Sequence, residues 1–231
     1  MSAADNPADG SERAGTTAPS WLLPLQRAAE TVQADELSRF VPPADGSGRH
    51  SAVLILFAGS SAADGVGGAD SADVLLIQRS DGLRRHAGQV AFPGGATEPE
   101  DASATATALR EAAEEVGLRP DTVQVLTELP ALWLPPSGFV VTPVVGYWHS
   151  PHPVGVVDTG EVAGVQRVPV RELVRPANRF TVRHPSGFTG PGFDVDGLFV
   201  WGFTGGLLDR LMRLAGWDQP WDRTRSRPLP P

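Results

Sequence analysis

The stretch Gly94–Leu118, GGATEPEDASATATALREAAEEVGL, joins a glycine pair to an acidic loop and then to a segment with three closely spaced glutamates. Its pattern predicts a helix from about Ala102 to Val116. Glu111, Glu114 and Glu115 stand at spacings of i, i+3 and i+4, so their like charges weaken an isolated helix. Some further interaction must offset this repulsion.

A divalent metal ion would provide that interaction. Carboxylates within reach of one another raise each other's pKa values, and a bound Mg²⁺ relieves the repulsion. Magnesium takes a few carboxylates together with waters and substrate phosphates. The alternative is a solvated glutamate-rich helix face, which is common. The PGG turn and acidic loop just before the helix favour the metal site. The apolar stripe expected to pack inward comprises Leu109, Ala112, Ala113 and Val116.

Composition limits the class of protein. The chain has 231 residues, 41% of them hydrophobic, which is enough for one domain with tails. A formal charge of −8 disfavours a general role in binding nucleic acid or membrane surfaces. The absence of cysteine excludes disulfides, thiolate nucleophiles and zinc–thiolate sites. The sequence shows no secretory signal and no apolar run long enough to cross a bilayer, so we expect a cytoplasmic protein.

The chain divides into four predicted segments. They are a disordered tail (1–19), an N-terminal helix with a linker (20–48), a main domain (49–213) and a C-terminal tail (214–231). Within the second segment, we expect one helix over Trp21–Phe40.

Short apolar runs bounded by turn residues predict the strands of the main domain. They lie at 51–59, 73–80, 88–95, 122–134, 138–148 and 161–170, followed by a helical turn at 171–175. The first two strands resemble a hairpin, and 198–216 begins as a strand and ends as an amphipathic helix. This order of strands, helix, strands and helix indicates an α+β fold.

The segment R110-E111-A112-A113-E114-E115-V116-G117-L118 resembles the second half of the Nudix box, G-x5-E-x7-R-E-U-x-E-E-x-G-U, where U is aliphatic. The first half departs from the box. Asp101 stands where the box has Glu, and eight residues rather than seven separate it from Arg110.

The extra residue is typical of the coenzyme A pyrophosphatase-like branch of the Nudix family. Other blocks of the chain resemble the same branch, over about residues 50–210. They are LLIQRS (75–80), LRRHAGQVAFPGG (83–95), TALREAAEEVGL (107–118), SGFVVTPVVG (137–146) and VWGFTGGLL (200–208).

The resemblance implies the Nudix fold, a mixed β-sheet sandwiched between α-helices. It also implies hydrolysis of a nucleoside diphosphate linked to another group, with Mg²⁺ or Mn²⁺ as cofactor. For coenzyme A, the products would be 3′,5′-ADP and 4′-phosphopantetheine. The implied partner is a small coenzyme A-like nucleotide, with no nucleic acid and no membrane, and a homodimer is left open.

By the same resemblance, Glu111 and Glu115 are the main metal ligands. Glu114 ligates a second metal or takes the proton from the attacking water. Glu161, before a late strand, is a second candidate base, and its alternative is a surface residue at a strand edge. Arg110 orients Glu111 or a loop carboxylate, or is an ordinary surface arginine.

Substrate contacts are expected on either side of the box. Arg84, Arg85 and His86 could meet phosphates, including the 3′-phosphate of coenzyme A, although His86 could instead be a structural histidine. The other expected positions are Gly94 and Gly95, which allow a tight turn beside the metal, and Ser137 and Phe139, which would line the cleft. Phe139 is equally well explained as a core residue.

Two other functions remain open at this point. One is a Nudix hydrolase of NADH, ADP-ribose or a diadenosine polyphosphate. The LRRHAGQVAF block, which resembles the coenzyme A branch, argues against it. The other is a non-hydrolytic nucleotide sensor with a Nudix fold. The presence of Arg110, Glu111, Glu114 and Glu115 argues against it, whereas Asp101 and the glycines of WGFTGGLL keep it open.

Overall fold

The computed structural model describes residues 18–60, 69–83, 86–185 and 187–229. Nearly all of the predicted N-terminal tail lies outside these residues, as do Arg84 and Arg85. Within the described residues, no helix is both long enough and apolar enough to cross a membrane.

A mixed sheet forms the centre of the domain. Eight strands of the described chain build it: β1 (Arg49–Ala58), β2 (Asp73–Arg79), β3 (Val90–Ala91), β4 (Gly94–Ala96), β5 (Val123–Glu128), β6 (Leu132–Leu134), β7 (Phe139–Trp148) and β8 (Val162–Pro169). The order is β3-β2-β1-β7-β5, with β4 paired to β1, β6 to β7 and β8 to β2. The β1–β7 pair is parallel, whereas β1–β2 is antiparallel, as expected for the hairpin.

A second sheet lies beyond the first and was largely missed from sequence. It contains β9 (Arg179–Arg183), β10 (Thr189–Val195), β11 (Leu198–Val200) and β12 (Ser226–Pro228), in the order β11-β10-β9-β12. Only β11 was predicted. The strand β10 was not predicted because its sequence, TGPGFDV, contains glycines and a proline, which are depleted in strands.

Five helices accompany the sheets in the described residues. They are α1 (Leu23–Ala29), α2 (Ala34–Leu37), α3 (Ala104–Val116), α4 (Val170–Val174) and α5 (Gly202–Leu214). The prediction of one helix over Trp21–Phe40 is wrong. The first helix ends at Ala29, and a capping box formed by Gln33 and Glu36 begins α2.

Helices cover both faces of the central sheet, as the α+β Nudix fold requires. Alternate residues of β1 face opposite sides, so Leu54 and Leu56 pack under α3 while Ile55 and Phe57 pack against α1 and α5. The buried stripe of α3 is rotated from the expected one. It consists of Ala108, Ala112 and Val116, while Leu109 and Ala113 are half-buried.

The segment predicted as a C-terminal tail packs on the domain instead. Trp217 lies 5.8 Å from Trp21 and 5.6 Å from Phe57, measured between ring centroids. Further along, β12 pairs in parallel with β9. Trp217 therefore packs against the core, and the Trp221 ring faces the buried Arg179 guanidinium, within a segment that the sequence predicted as a tail.

Candidate active site

Arg110 joins the acidic loop to α3. Its Nε and Nη2 atoms donate to the two carboxylate oxygens of Asp101 at 3.0 and 2.9 Å, and Nη2 also donates to the carbonyl of Ala96 at 3.0 Å. This bidentate pair holds the pKa of Asp101 well below its ordinary value. Asp101, which departs from the Nudix box, is thus the loop carboxylate that Arg110 orients.

The third nitrogen of Arg110 faces the helix glutamates. Nη1 donates to Glu114 at 3.0 Å and lies 3.2 Å from Glu111 Oε1. Glu114 is 60% exposed at its side chain, whereas Glu111 is 15% exposed. One arginine therefore offsets much of the repulsion between neighbouring carboxylates, and Glu114 projects toward solvent while Glu111 turns inward.

Glu115 is buried where charge is costly. It is 2% exposed, and only the backbone N–H of Gly94 donates to it, at 2.9 Å from Oε2. Its Oε1 has no hydrogen-bond partner in the described residues. Burial raises the pKa of Glu115 to about 8, against the hydrogen bond from Gly94 and the positive charge of Arg79. A bound cation would stabilise the ionised form of this buried carboxylate.

The two glycines before the loop give α3 its close approach to the sheet. A Cβ at Gly95 would lie 2.4 Å from the carboxyl carbon of Glu111, and one at Gly94 would lie 2.3 Å from the carbonyl oxygen of Ala52. Gly94 also has a φ of 151°, which L residues rarely adopt. Both glycines belong to β4, so their role is close packing under the carboxylates rather than only a turn.

These residues fit a metal that keeps most of its water. No group of three or more acidic or histidine side chains in the described chain forms a ready ligand set. Mg²⁺ and Mn²⁺ do not require one, since one or two carboxylates with waters and substrate phosphates suffice. Glu111 and Glu115 supply two carboxylates, and the unpartnered Oε1 of Glu115 is an oxygen that such an ion would satisfy.

Glu161 lies beside this pair although it comes from another part of the chain. It directly precedes β8, and its carbonyl accepts the Ser80 N–H at 2.8 Å. The charge of Glu161 raises the pKa of both Glu111 and Glu115. The role of Glu161 as a base stays a prediction.

The other expected contacts are less closely connected to the carboxylates. His86 adopts a left-handed φ of 58°, and its Nδ1 lies 2.9 Å from Gln89 Oε1. Ser137 and Phe139 lie at the β6–β7 turn, where the Arg49 guanidinium is 4.6 Å from the centre of the Phe139 ring. In the described residues, no hydrogen bond or ion pair links this turn to α3.

One charged residue near the site was missed from sequence. Arg79 ends β2 and acts electrostatically on Glu115. The signal was present in LLIQRS, because Arg79 continues the alternation of Leu75 and Ile77 toward the helix side of the sheet.

Comparison with known proteins agrees with this geometry. The family model of the NUDIX domain matches residues 49–187. "Uncharacterized Nudix hydrolase NudL" of Citrobacter koseri is 40% identical over 156 residues, which cover 62% of this chain and 75% of the relative. The protein of the same name from Yersinia enterocolitica is 41% identical over 144 residues, covering 60% and 71%.

A solved structure supports the fold. The Nudix hydrolase RenU of M. smegmatis aligns with 80% of this chain and 98% of its own, with a TM-score of 0.50 at 19% identity. The domain match, the relatives and the carboxylate helix together lead to one conclusion: the chain belongs to the Nudix hydrolase family, which acts on nucleoside diphosphate derivatives.

Proposed function

We propose that this protein hydrolyses the diphosphate of coenzyme A or its derivatives, with Mg²⁺ or Mn²⁺. Water adds to one phosphorus and the bridging P–O bond breaks, which gives 3′,5′-ADP and 4′-phosphopantetheine or its acylated form. The observation that carries the proposal is the buried Glu115, which has one carboxylate oxygen unpartnered in the described residues, together with the half-buried Glu111. The preference for coenzyme A rests on the LRRHAGQVAFPGG block (83–95).

The metal site would be formed by Glu111 and Glu115. A divalent ion held there would neutralise diphosphate charge and acidify a water that it binds. The chain contributes the placement of both carboxylates, because Arg110 holds Glu111 from one side and Gly94 holds Glu115 from the other. Such preorganisation means that little rearrangement is needed when substrate arrives.

Glu161 is the base that we favour for the attacking water. Its charge acts on both proposed ligands, and its carbonyl accepts the Ser80 N–H just after β2, which supports a place near the attacking water. Glu114, the other candidate, accepts a hydrogen bond from Arg110, so its carboxylate is already engaged by the chain. Glu114 therefore serves mainly to complete the partners of Arg110.

Recognition of the nucleotide would involve the segment before β3. His86 presents its ring from a left-handed backbone position, a conformation that is more common at functional sites than elsewhere. Arg84 and Arg85 precede it and supply the charge that a 3′-phosphate requires. Ser137 and Phe139 would contact a more distant part of the substrate.

Product analysis on a substrate panel tests this proposal. Free, acylated and oxidised coenzyme A, NADH and ADP-ribose are each incubated with the full chain and either Mg²⁺ or Mn²⁺. We expect coenzyme A species to be cleaved fastest, with 3′,5′-ADP as the common product. Faster cleavage of NADH or ADP-ribose would show that one of these, and not coenzyme A, is the preferred substrate. If no diphosphate is turned over with either metal, the function would be that of a nucleotide sensor.

A further inference from the structure

Arg79 ends β2 on the side of the sheet that α3 covers. Leu75 and Ile77 belong to the apolar cluster under α3, whereas Val74 and Leu76 belong to the opposite cluster. Side chains alternate along a strand, so Arg79 follows Leu75 and Ile77 on the α3 side. The Arg79 guanidinium therefore lies at the edge of the apolar cluster, on the face of β2 that the glutamate helix covers.

The sheet is irregular at this position. The register between β2 and β8 shifts between Gln78 and Arg79, and Arg79 then pairs with Val162. The next residue, Ser80, donates its N–H to the carbonyl of Glu161 at 2.8 Å. Such irregularities commonly lie next to active sites, where they redirect side chains. Arg79 at the end of β2 and Glu161 just before β8 therefore lie at the same end of the sheet.

Arg79 keeps its hydrogen-bond donors available. Ile77, two residues before it, packs in the same apolar cluster as Ala112, so Arg79 lies beside the helix that carries Glu115. In the part of the chain that the structure describes, the Arg79 guanidinium nevertheless makes no side-chain hydrogen bond or ion pair. Arg110 differs, since Asp101, Glu114 and the Ala96 carbonyl already occupy its three nitrogens.

We propose that Arg79 binds a non-bridging oxygen of the substrate diphosphate. This inference rests on the proposed hydrolysis of a diphosphate and adds the protein group that receives it. A diphosphate entering beside Glu111, Glu115 and Glu161 meets three carboxylates, and it needs positive charge beyond that of a metal ion. The planar guanidinium fork suits phosphate oxygens, and Arg79 is the arginine beside these glutamates whose fork is uncommitted in the described chain.

A purely structural role for Arg79 makes different predictions. If Arg79 only balanced Glu115, its loss would alter the stability of the metal-free protein and nothing specific to phosphate. If Arg79 binds substrate, its loss weakens diphosphate binding while Mn²⁺ binding without nucleotide is unchanged or stronger, because a nearby positive charge has been removed.

Calorimetry with a non-hydrolysable probe separates these roles. The probe is α,β-methylene-ADP, with AMP as the single-phosphate comparison, titrated into the Mn²⁺-loaded full chain. We expect Arg79→Gln to weaken probe binding by about 10–100-fold, with a smaller loss for AMP, and Arg79→Lys to recover part of it. Arg167→Gln is the matched control, since Arg167 lies on β8 and pairs with Asp73.

The outcomes distinguish this inference from the proposed function. Equal probe affinity in Arg79→Gln and wild type, with coenzyme A still cleaved, overturns the role of Arg79 alone. Probe binding that depends on Arg79, without cleavage of coenzyme A, supports diphosphate binding by Arg79 and overturns coenzyme A as the substrate. A wild type that does not bind the probe overturns the role of Arg79, and it overturns the proposed function as well if coenzyme A is not cleaved. Circular dichroism checks folding, and Arg79→Lys carries the test if Arg79→Gln does not fold.

Discussion

Two arginine–carboxylate clusters in this molecule look alike in composition and differ in what they leave unpaired. At α3, Arg110 is surrounded by Asp101, Glu111 and Glu114, and nearby Glu115 is buried without a cation bonded to it. In the second sheet, Arg179 contacts Asp209 and, at 3.2 Å, Asp218, while the Phe193 and Trp221 rings face its guanidinium. Their surroundings determine which cluster can bind a ligand.

The second cluster is closed. Arg179 is fully buried, Asp209 is 2% exposed, and Asp209 also pairs with Arg213 on the same helix. Each carboxylate there has a cation of the chain. The cluster at α3 is open by contrast, because in the described residues only a backbone N–H donates to Glu115, and burial raises the pKa of Glu115 to about 8. The comparison supports the proposal that Glu115 binds a metal ion, because the chain supplies no counter-charge bonded to it in the described residues.

Removing the carboxylate charge at α3 has the largest expected effect. Glu115→Gln should lower turnover on the order of 10³-fold, because bound metal contributes several kcal/mol to stabilising transition-state charge. Folding should be preserved, since an amide at this buried position carries no charge to desolvate. Initial rates with Mn²⁺ and thermal unfolding of the same samples measure both effects. Turnover within tenfold of wild type would contradict the assignment of Glu115.

The matching change in the closed cluster should affect stability instead. Arg179→Met leaves Asp209 and Asp218 without their shared partner, and breaking a buried pair costs about 3–5 kcal/mol. Denaturant unfolding at pH 7 measures this loss. Mn²⁺ affinity of the folded fraction should be unchanged. A metal-binding defect in this variant would show that the clusters are coupled.

Removing either candidate base should lower kcat less than Glu115→Gln does, and the two variants should differ from each other. Glu161→Gln should reduce kcat by about 10²-fold or more, as expected for loss of a general base. Glu114→Gln should have a milder effect, because Glu114 is exposed and mainly contacts Arg110. Stopped-time assays at saturating substrate and Mg²⁺ provide the comparison. The reverse order of the two variants would assign the base to Glu114.

A methyl group beneath Glu111 tests how tightly the open cluster is packed. The Cβ of Gly95→Ala would lie 2.4 Å from the Glu111 carboxyl carbon, so the carboxylate must move. We expect Mn²⁺ affinity to fall by about 10–100-fold, the usual range when the support of a ligand is lost. Gly216→Ala is a control outside the site with no atom near its Cβ, and its positive φ should affect stability only. Unchanged Mn²⁺ affinity in Gly95→Ala would separate Glu111 from the metal.

Much of the open cluster was predictable because its signals are local. The Ser103 side chain caps α3, and Gly117 ends it with a left-handed φ of 71°, so the predicted helix differs from the observed one by two residues at its start. Spacing also placed the glutamates together. It could not reveal that Glu114 faces solvent while Glu115 is buried, because that depends on how α3 rotates against the sheet.

Little of the closed cluster was predictable because its contacts are distant in sequence. Arg179 meets Asp209 and Asp218 only after β9 has paired with β10 and the C-terminal segment has folded back. Arg79 is similar, since its approach to Glu115 depends on the packing of α3 over β2. Local patterns find elements and cap residues, whereas charge partners across the fold require strand register and helix orientation.

The pH dependence of metal binding is the smallest and most graded test. Glu115 has its folded pKa raised from 4.5 to about 8, so the metal-free protein holds this proton below pH 8, and its stability declines as pH rises toward 8. A metal ion must displace the proton, so Mn²⁺ affinity should rise by up to about tenfold per pH unit between 6 and 8. Calorimetric titrations at constant ionic strength measure this slope, and Glu115→Gln should flatten it. A wild-type affinity independent of pH would mean that the carboxylate is already ionised, and the contrast with the paired acids around Arg179 would disappear.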